Sequence, residues 1–191
     1  LLGGADEITA YNYAIDHMEG WYKLEQVNHS TLYTSRTVGT IAGEAAAMFK
    51  AIHKAGNAMA RVMDVAMMHT HDAGRVSTQL HAFMQKNLPD GKLPDLVLSG
   101  ENGDIRLDGF YRACEGAFNG ETVIGRFKHL CGEYPTASAF ALWLSVMVLS
   151  ESLQLPQHVI KTGRIVHPIK TILIYNTYKG AQHSFILVAK P

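Results

Sequence analysis

The sequence predicts an α/β fold from three observations. Two runs near the end of the chain, residues 171–176 and 184–189, are rich in β-branched and aromatic residues, and the turn-like segment between them indicates a β-hairpin. Residues 94–100 form a short apolar run between proline and glycine, which is typical of a buried strand. Segments with helical spacing precede and follow that run. Strands that alternate with helices and close with a hairpin predict a mixed β-sheet covered by helices.

Composition limits the classes of protein to which the chain can belong. Its 191 residues, 47% hydrophobic and 18% charged, suit one globular domain with a sizeable core. Seventeen basic and seventeen acidic side chains balance, so we expect neither nucleic acid nor a membrane surface as a partner. The longest apolar stretch, residues 137–149, is too short to span a bilayer.

Cysteine and histidine positions point to no disulfide framework and no metal. The two cysteines, Cys114 and Cys131, lack the spacing of a framework or a metal clip, which suits a reduced, cytoplasmic chain. His69 and His71 would share one face of a strand, but no third ligand is evident. We therefore expect no metal and no cofactor.

The first half of the chain is harder to assign than the second. Residues 1–7, LLGGADE, look like the end of a hydrophobic strand that runs into a glycine turn, and they lack an initiator methionine. We expect the chain to be a piece of a longer one. Residues 42–68 have the alanine and methionine content of a helix, whereas the alternation in residues 60–72 favours a strand.

Two helices are predicted in the second half. Residues 77–88 place Leu80, Phe83, Met84 and Leu88 on one face, with Ser77 as the N-cap and Pro89 as the stop. A second helix follows Glu133 and has a proline in its first turn, where a missing N–H costs little. Its apolar residues surround the helix axis, so we expect it to be buried on most sides.

Five stretches, in order, resemble the C-terminal half of a β-ketoacyl synthase of the thiolase-like superfamily. The stretches are LLGGADE, GTIAGEAAAMF, DLVLSGENGDIRLD, KHLCGEYPTASAFAL and YNTYKGAQHSFILV. The resemblance implies that residues 1–38 end the N-terminal half and connect it to a C-terminal α/β domain, residues 39–191. It implies an order of roughly ββαβαβαββ, in which residues 45–53 and 60–70 are strands despite their helix propensity.

Decarboxylating members of this family use a cysteine thiolate and two histidines. The family's nucleophile belongs to the N-terminal half, and neither cysteine of this chain is expected to replace it. Alignment on Gly100 places Ser99 at the first histidine position, and alignment on Asp108 places Gly100 there. At the second position, after the family's lysine and glycine, stands Glu133. Both histidine positions are therefore replaced.

Glutamate changes the chemistry of the second position. An ionised carboxylate only accepts hydrogen bonds, so Glu133 would repel a malonyl carboxylate and could not polarise a thioester carbonyl. Lys128 matches the active-site lysine of the family and has either a role in the site or a place in a buried ion pair. Three residues are candidates for substrate binding: Gly100 after the 94–100 strand, and Gly180 and His183 in the closing hairpin. A surface histidine is the alternative for His183.

Three functions stay open at this point. The first is a non-condensing protein, similar to chain-length factors, that pairs with an active synthase. The second is a divergent synthase or acyltransferase in which Glu133 acts as acid or base. The third is a structural or interaction domain. The resemblance implies an acyl carrier protein as a partner, and a homodimer or a heterodimer with an active ketosynthase. We expect the fragment alone to be inactive.

Overall fold

The computed structural model describes residues 1–53, 56–118, 120 and 122–191. Its strands are β1 (Leu2–Asp6), β2 (Ala45–Phe49), β3 (Arg61–His69), β4 (Leu96–Ser99), β5 (Val123–Arg126), β6 (Ile160–Thr162), β7 (Thr171–Tyr178) and β8 (Gln182–Ala189). Its α-helices are α1 (Ala10–Met18), α2 (Ala73–Asn87), α3 (Asp108–Glu115), α4 (Lys128–Cys131) and α5 (Ala137–Leu149).

A six-stranded mixed sheet forms the centre of the molecule and confirms the predicted fold class. Its strand order is β3-β8-β7-β4-β5-β6. The central strand β4 runs parallel to both neighbours, β5 and β7, while β8 pairs antiparallel with β7 and β3. The closing hairpin of β7 and β8 is therefore part of the central sheet, as its β-branched composition predicts.

Helices cover both faces of the sheet. On one face, α2 and α3 pack Val76, Leu80 and Tyr111 against Val97 and Leu173. On the other face, α5 packs against the alternate side chains of the same strands, which is the two-faced burial expected of parallel strands. Trp143, at 40%, is the one exposed residue of α5 in the part of the chain that the structure describes, so the prediction of a helix buried on most sides is confirmed.

Each of the two segments that the family resemblance predicts to be strands, residues 45–53 and 60–70, contains a strand. Both β2 and β3 are strands despite their alanine and methionine content, because pairing with a neighbouring strand overrides local helix propensity. The first predicted strand is shorter than residues 45–53. It pairs with β1 in a separate two-stranded sheet that packs on α5. The predicted division of the chain at residue 39 separates β1 from β2 and stays a prediction.

Two local predictions are wrong. Gly3 and Gly4 lie inside β1 and not in a turn, because the strand passes so close to α5 that a Cβ on Gly4 would lie 2.6 Å from the Cβ of Thr136. Ser77 lies inside α2 and does not cap it. The cap is Asp72, whose carboxylate accepts hydrogen bonds from the amides of Gly74 (2.8 Å) and Arg75 (3.1 Å).

Among the described residues, every helix is too short or too polar to cross a membrane.

Candidate functional site

The position of Glu133 is fixed by its backbone. The short helix α4 ends at Gly132, whose φ of 73° lies in the region that favours glycine. The chain then runs beside residues 41–43: the amide of Glu133 donates to the carbonyl of Ile41 (2.9 Å), and its carbonyl accepts from the amide of Gly43 (3.1 Å). Two glycines meet where these segments touch. A Cβ on Gly43 would lie 2.7 Å from Cα of Gly132 and 1.9 Å from the carbonyl oxygen of Cys131.

The side chain of Glu133 is held on both of its oxygens. Its Oε1 accepts a hydrogen bond from the ammonium of Lys128, which is completely buried, and its Oε2 accepts one from Nδ2 of Asn102 at 2.7 Å. The Glu133 side chain is 8% exposed. Both of its oxygens act as hydrogen-bond acceptors toward these two groups. The structure therefore holds a hydrogen-bond acceptor at this point and offers no donor from Glu133.

The loop after β4 brings Asn102 to Glu133. The amide of Gly100 donates to the carbonyl of Tyr175 on β7 (2.7 Å), and the carbonyl of Gly100 accepts from the hydroxyl of Tyr111 on α3 (2.7 Å). A Cβ on Gly100 would lie 2.2 Å from Oδ1 of Asn176, so only glycine allows this close approach. The two predicted site segments and the terminal hairpin thus converge in space.

Ser99 faces a different neighbourhood. It is completely buried, and its hydroxyl donates to Oε1 of Glu115 at the end of α3 (2.7 Å). The other oxygen of Glu115 accepts from Lys161 of β6 (2.6 Å), which also binds Glu101. This buried network ties β4, α3 and β6 together. Ser99 is therefore occupied by a structural partner, and a catalytic role for it stays a prediction.

His183 is buried among core side chains and not at the surface. Its Nδ1 lies 3.2 Å from the hydroxyl of Tyr175, its Nε2 lies 3.0 Å from the carbonyl oxygen of Thr70, and its ring lies 4.9 Å from that of Phe110. Burial lowers the pKa of His183. Gly180 faces Leu107 and Phe110 in the same region. Their predicted role in substrate binding stays a prediction.

A cavity of about 230 Å³ lies beside Glu133. It is lined by Glu133, Asn102 and the segment that leads into α5, together with residues of α1 and of the hairpin. Two of its lining residues form an ion pair, with Nζ of Lys179 2.6 Å from Oδ1 of Asp16. Its lining includes charged, amide-bearing and aromatic side chains, namely Asp6, Glu7, Asp16, Trp21, Tyr22, Asn102, Glu133, Tyr178 and Lys179.

Neither cysteine has the character of a nucleophile. Burial raises the pKa of the Cys131 thiol to about 11, and the ammonium of Lys128 opposes this only in part. Burial also raises the pKa of Cys114 to about 12. Both groups are therefore thiols and not thiolates near neutral pH.

Sequence reasoning missed three residues that shape this site. Asn102 binds Glu133 and had a usable signal, because it lies in the loop that follows a buried strand and ends beside the predicted site. Asp16 and Lys179 are 163 positions apart and meet only in the folded chain, so their pairing has no signal in one sequence.

Comparisons with known proteins show similarity at the level of the fold. No family model and no curated protein matches the sequence. The structure is similar to that of the AntDE:AntF complex, a type II PKS acyl-carrier protein in complex with its ketosynthase bound to the hexaketide (TM-score 0.74, 10% identity, 98% of this chain and 54% of that chain). It is also similar to the ishigamide ketosynthase/chain length factor (TM-score 0.73, 10% identity, 99% of this chain and 53% of that chain).

A third similar structure is a β-ketoacyl synthase from Burkholderia phymatum STM815 (TM-score 0.66, 13% identity, 99% of this chain and 54% of that chain). The chain thus spans about half the length of the ketosynthase structures that it matches. At these identities the similarity is one of fold. The chain has the mixed α/β fold of a ketosynthase half.

Proposed function

We propose that the protein to which this chain belongs is a ketosynthase-like protein of acyl assembly that does not itself form carbon–carbon bonds. In this proposal it acts as a chain-length-factor-like partner of an active synthase and meets an acyl carrier protein. It would work in the cytoplasm, which suits its two free thiols. Among similar structures are a ketosynthase/chain length factor and a complex of a carrier protein with its ketosynthase.

One observation carries the proposal. The resemblance aligns Glu133 with the second histidine of the family, and this glutamate forms an ion pair with the buried Lys128. Decarboxylation of a malonyl group develops negative charge on the thioester oxygen, which needs a hydrogen-bond donor or a cation close by. A fixed anion raises the energy of that charge. The only cation in contact with Glu133 among the described residues is already used to neutralise it.

The alternative is catalysis by Glu133 as acid or base. Its contact with the cavity favours this second function. Its contacts oppose it, because both carboxylate oxygens already accept hydrogen bonds, one from Lys128 and one from Asn102, and a substrate proton would have to compete with these donors. We therefore rank the partner role first.

Copurification tests the partner role. The full-length protein is expected to copurify in equal amounts with a ketosynthase encoded near it, and the pair is expected to extend acyl chains on a carrier protein. Each protein alone is expected to release no product. Recovery of the protein free of any synthase, combined with synthesis of product by the synthase alone, would contradict the proposal.

A further inference from the structure

We propose that the cavity beside Glu133 receives the end of a ligand that is uncharged or positively charged and donates hydrogen bonds, such as a hydroxyl or an ammonium group, and that it rejects a carboxylate. This inference rests on the proposed function, because it names the class of chemical group that the site of this ketosynthase-like protein accepts. It goes further in assigning a ligand preference to a site that would carry out no condensation.

The size of the cavity restricts the ligand to a small group. Its volume of about 230 Å³ is below the roughly 300–1,000 Å³ of common small-molecule sites. It therefore accommodates the end of a chain and not a whole cofactor. Rings of Trp21, Tyr22 and Tyr178 supply apolar surface to its lining.

The charges around the cavity exclude an anion. Among the described lining residues, four carry carboxylates, namely Asp6, Glu7, Asp16 and Glu133, and one carries an ammonium, Lys179. That ammonium already binds Asp16 at 2.6 Å. A ligand carboxylate would enter a space with a surplus of negative charge and would find no free cation among these side chains. Like charges at short range in a partly dry site repel strongly.

The hydrogen-bonding groups point to a donor. An ionised carboxylate has about four acceptor positions on its two oxygens, and Lys128 and Asn102 use one each on Glu133. The Glu133 side chain is 8% exposed and the residue lines the cavity, which leaves acceptor positions for a ligand there. The hydroxyl of Tyr22 does not compete for it, because that group lies 3.3 Å from Oδ2 of Asp16. A ligand hydroxyl or ammonium would donate to the acceptor positions of Glu133 that Lys128 and Asn102 leave unused.

Three thioesters of equal chain length test the inference. They are the N-acetylcysteamine thioesters of 3-hydroxypropionate, β-alanine and malonate, which differ in the terminal group. Titration calorimetry on the full-length protein is expected to show at least tenfold tighter binding of the hydroxyl and ammonium compounds than of the malonyl compound. Equal or tighter binding of the malonyl compound would overturn the inference, as would the absence of binding by all three at millimolar concentration.

A paired variant tests whether Glu133 causes the preference. Lys128→Met combined with Glu133→Gln removes the ion pair without leaving a buried charge, and the preference is expected to fall below threefold. Glu151→Gln removes an exposed carboxylate outside the cavity and should leave the preference unchanged. A full preference in the paired variant would overturn the assignment to Glu133. The comparison on the unmodified protein needs no variant, so it decides the inference even if the paired variant does not fold.

These outcomes are separate from those of the proposed function. A malonyl group that binds well but is not decarboxylated would end the ligand inference and leave the non-condensing function intact. Decarboxylation of malonyl-carrier protein by the protein alone would end the proposed function, whatever the order of affinities among the three thioesters.

Discussion

Lys128 and Glu133 are five positions apart and form an ion pair inside the molecule. The lysine side chain is completely buried and the glutamate is nearly so. Taking an ammonium out of water costs several kcal/mol, which the carboxylate offsets only while it is charged and in place. The identity of residue 133 therefore affects stability as well as chemistry.

Glu133→Gln is expected to lower the free energy of unfolding by about 3–5 kcal/mol, because it leaves the buried ammonium of Lys128 without a countercharge. Adding Lys128→Met should restore most of the loss. Urea unfolding followed by circular dichroism measures both. The matched control is Glu151→Gln, which breaks an exposed pair with Lys190 and should have no measurable effect. A Glu133→Gln protein as stable as the parent would contradict this account of the pair.

Among single residues, the sequence indicates Glu133 and one of its two partners, Lys128, but not the other. Glu133 and Lys128 follow from the family pattern, and a buried ion pair is among the predicted alternatives for Lys128. Asn102 is not predicted as the second partner, because one sequence does not show which side chain of a loop turns inward. The surroundings of His183 and Gly180 also depend on how the hairpin packs against Phe110 and Leu107, which are distant in sequence.

Two backbone segments that lie side by side, with glycines at their contact, set the geometry of the site. Residues 41–43 run parallel to the backbone at Glu133, and Ala42 and Glu133 form a β-bridge. The contact depends on Gly43 and Gly132, whose backbones touch. This backbone contact, and not a helix or strand, holds Glu133 at the entrance to α5.

Gly43→Ala is expected to destabilise the fold by about 1–3 kcal/mol, because the added methyl group would overlap the backbone of Cys131 and force the two segments apart. Urea unfolding measures the change. Gly109→Ala is the matched control: a Cβ there meets nothing within 4 Å, and alanine favours the helix α3. Equal stability of the Gly43→Ala protein and the parent would show that the segments do not touch as described.

Elements were predictable to different degrees. The strands β4, β7 and β8 have apolar, β-branched sequences and follow directly from local pattern. The strands β2 and β3 needed the family resemblance, because their composition favours a helix and only pairing with β1 and β8 makes them extended. The predicted N-cap of α2, Ser77, lies five residues after the observed N-cap, Asp72, because both residue types are chemically able to cap a helix.

At the scale of the whole molecule, buried polar groups make stability depend on pH. His129, at the start of α4, packs against Tyr33 and His158, and its Nδ1 lies 3.0 Å from the hydroxyl of Tyr33. Burial, with smaller contributions from His158 and Arg126, lowers the pKa of His129 to about 4 from its ordinary value of 6.5. Between these values the unfolded chain binds a proton at this position and the folded chain does not.

The free energy of unfolding is therefore expected to be unaffected by His129 above pH 6.5. As the pH drops from 6.5 toward 4, it is expected to fall by up to about 1.4 kcal/mol per pH unit from His129 alone. His129→Gln should reduce the slope of unfolding free energy against pH in this window. The control His81→Gln, which changes an exposed side chain of α2, should leave the slope unchanged. Identical slopes for the His129→Gln protein and the parent would contradict the burial of a neutral imidazole.

Release of carbon dioxide from malonyl-acyl carrier protein tests the central claim most directly. The full-length protein alone, measured with radiolabelled malonyl carbon against an active ketosynthase as the positive control, is expected to release no more than the carrier protein does by itself. The fixed anion at Glu133 is the reason. Release well above that background, abolished by Lys128→Met combined with Glu133→Gln in a variant that still folds, would show that this site catalyses decarboxylation and would contradict the account.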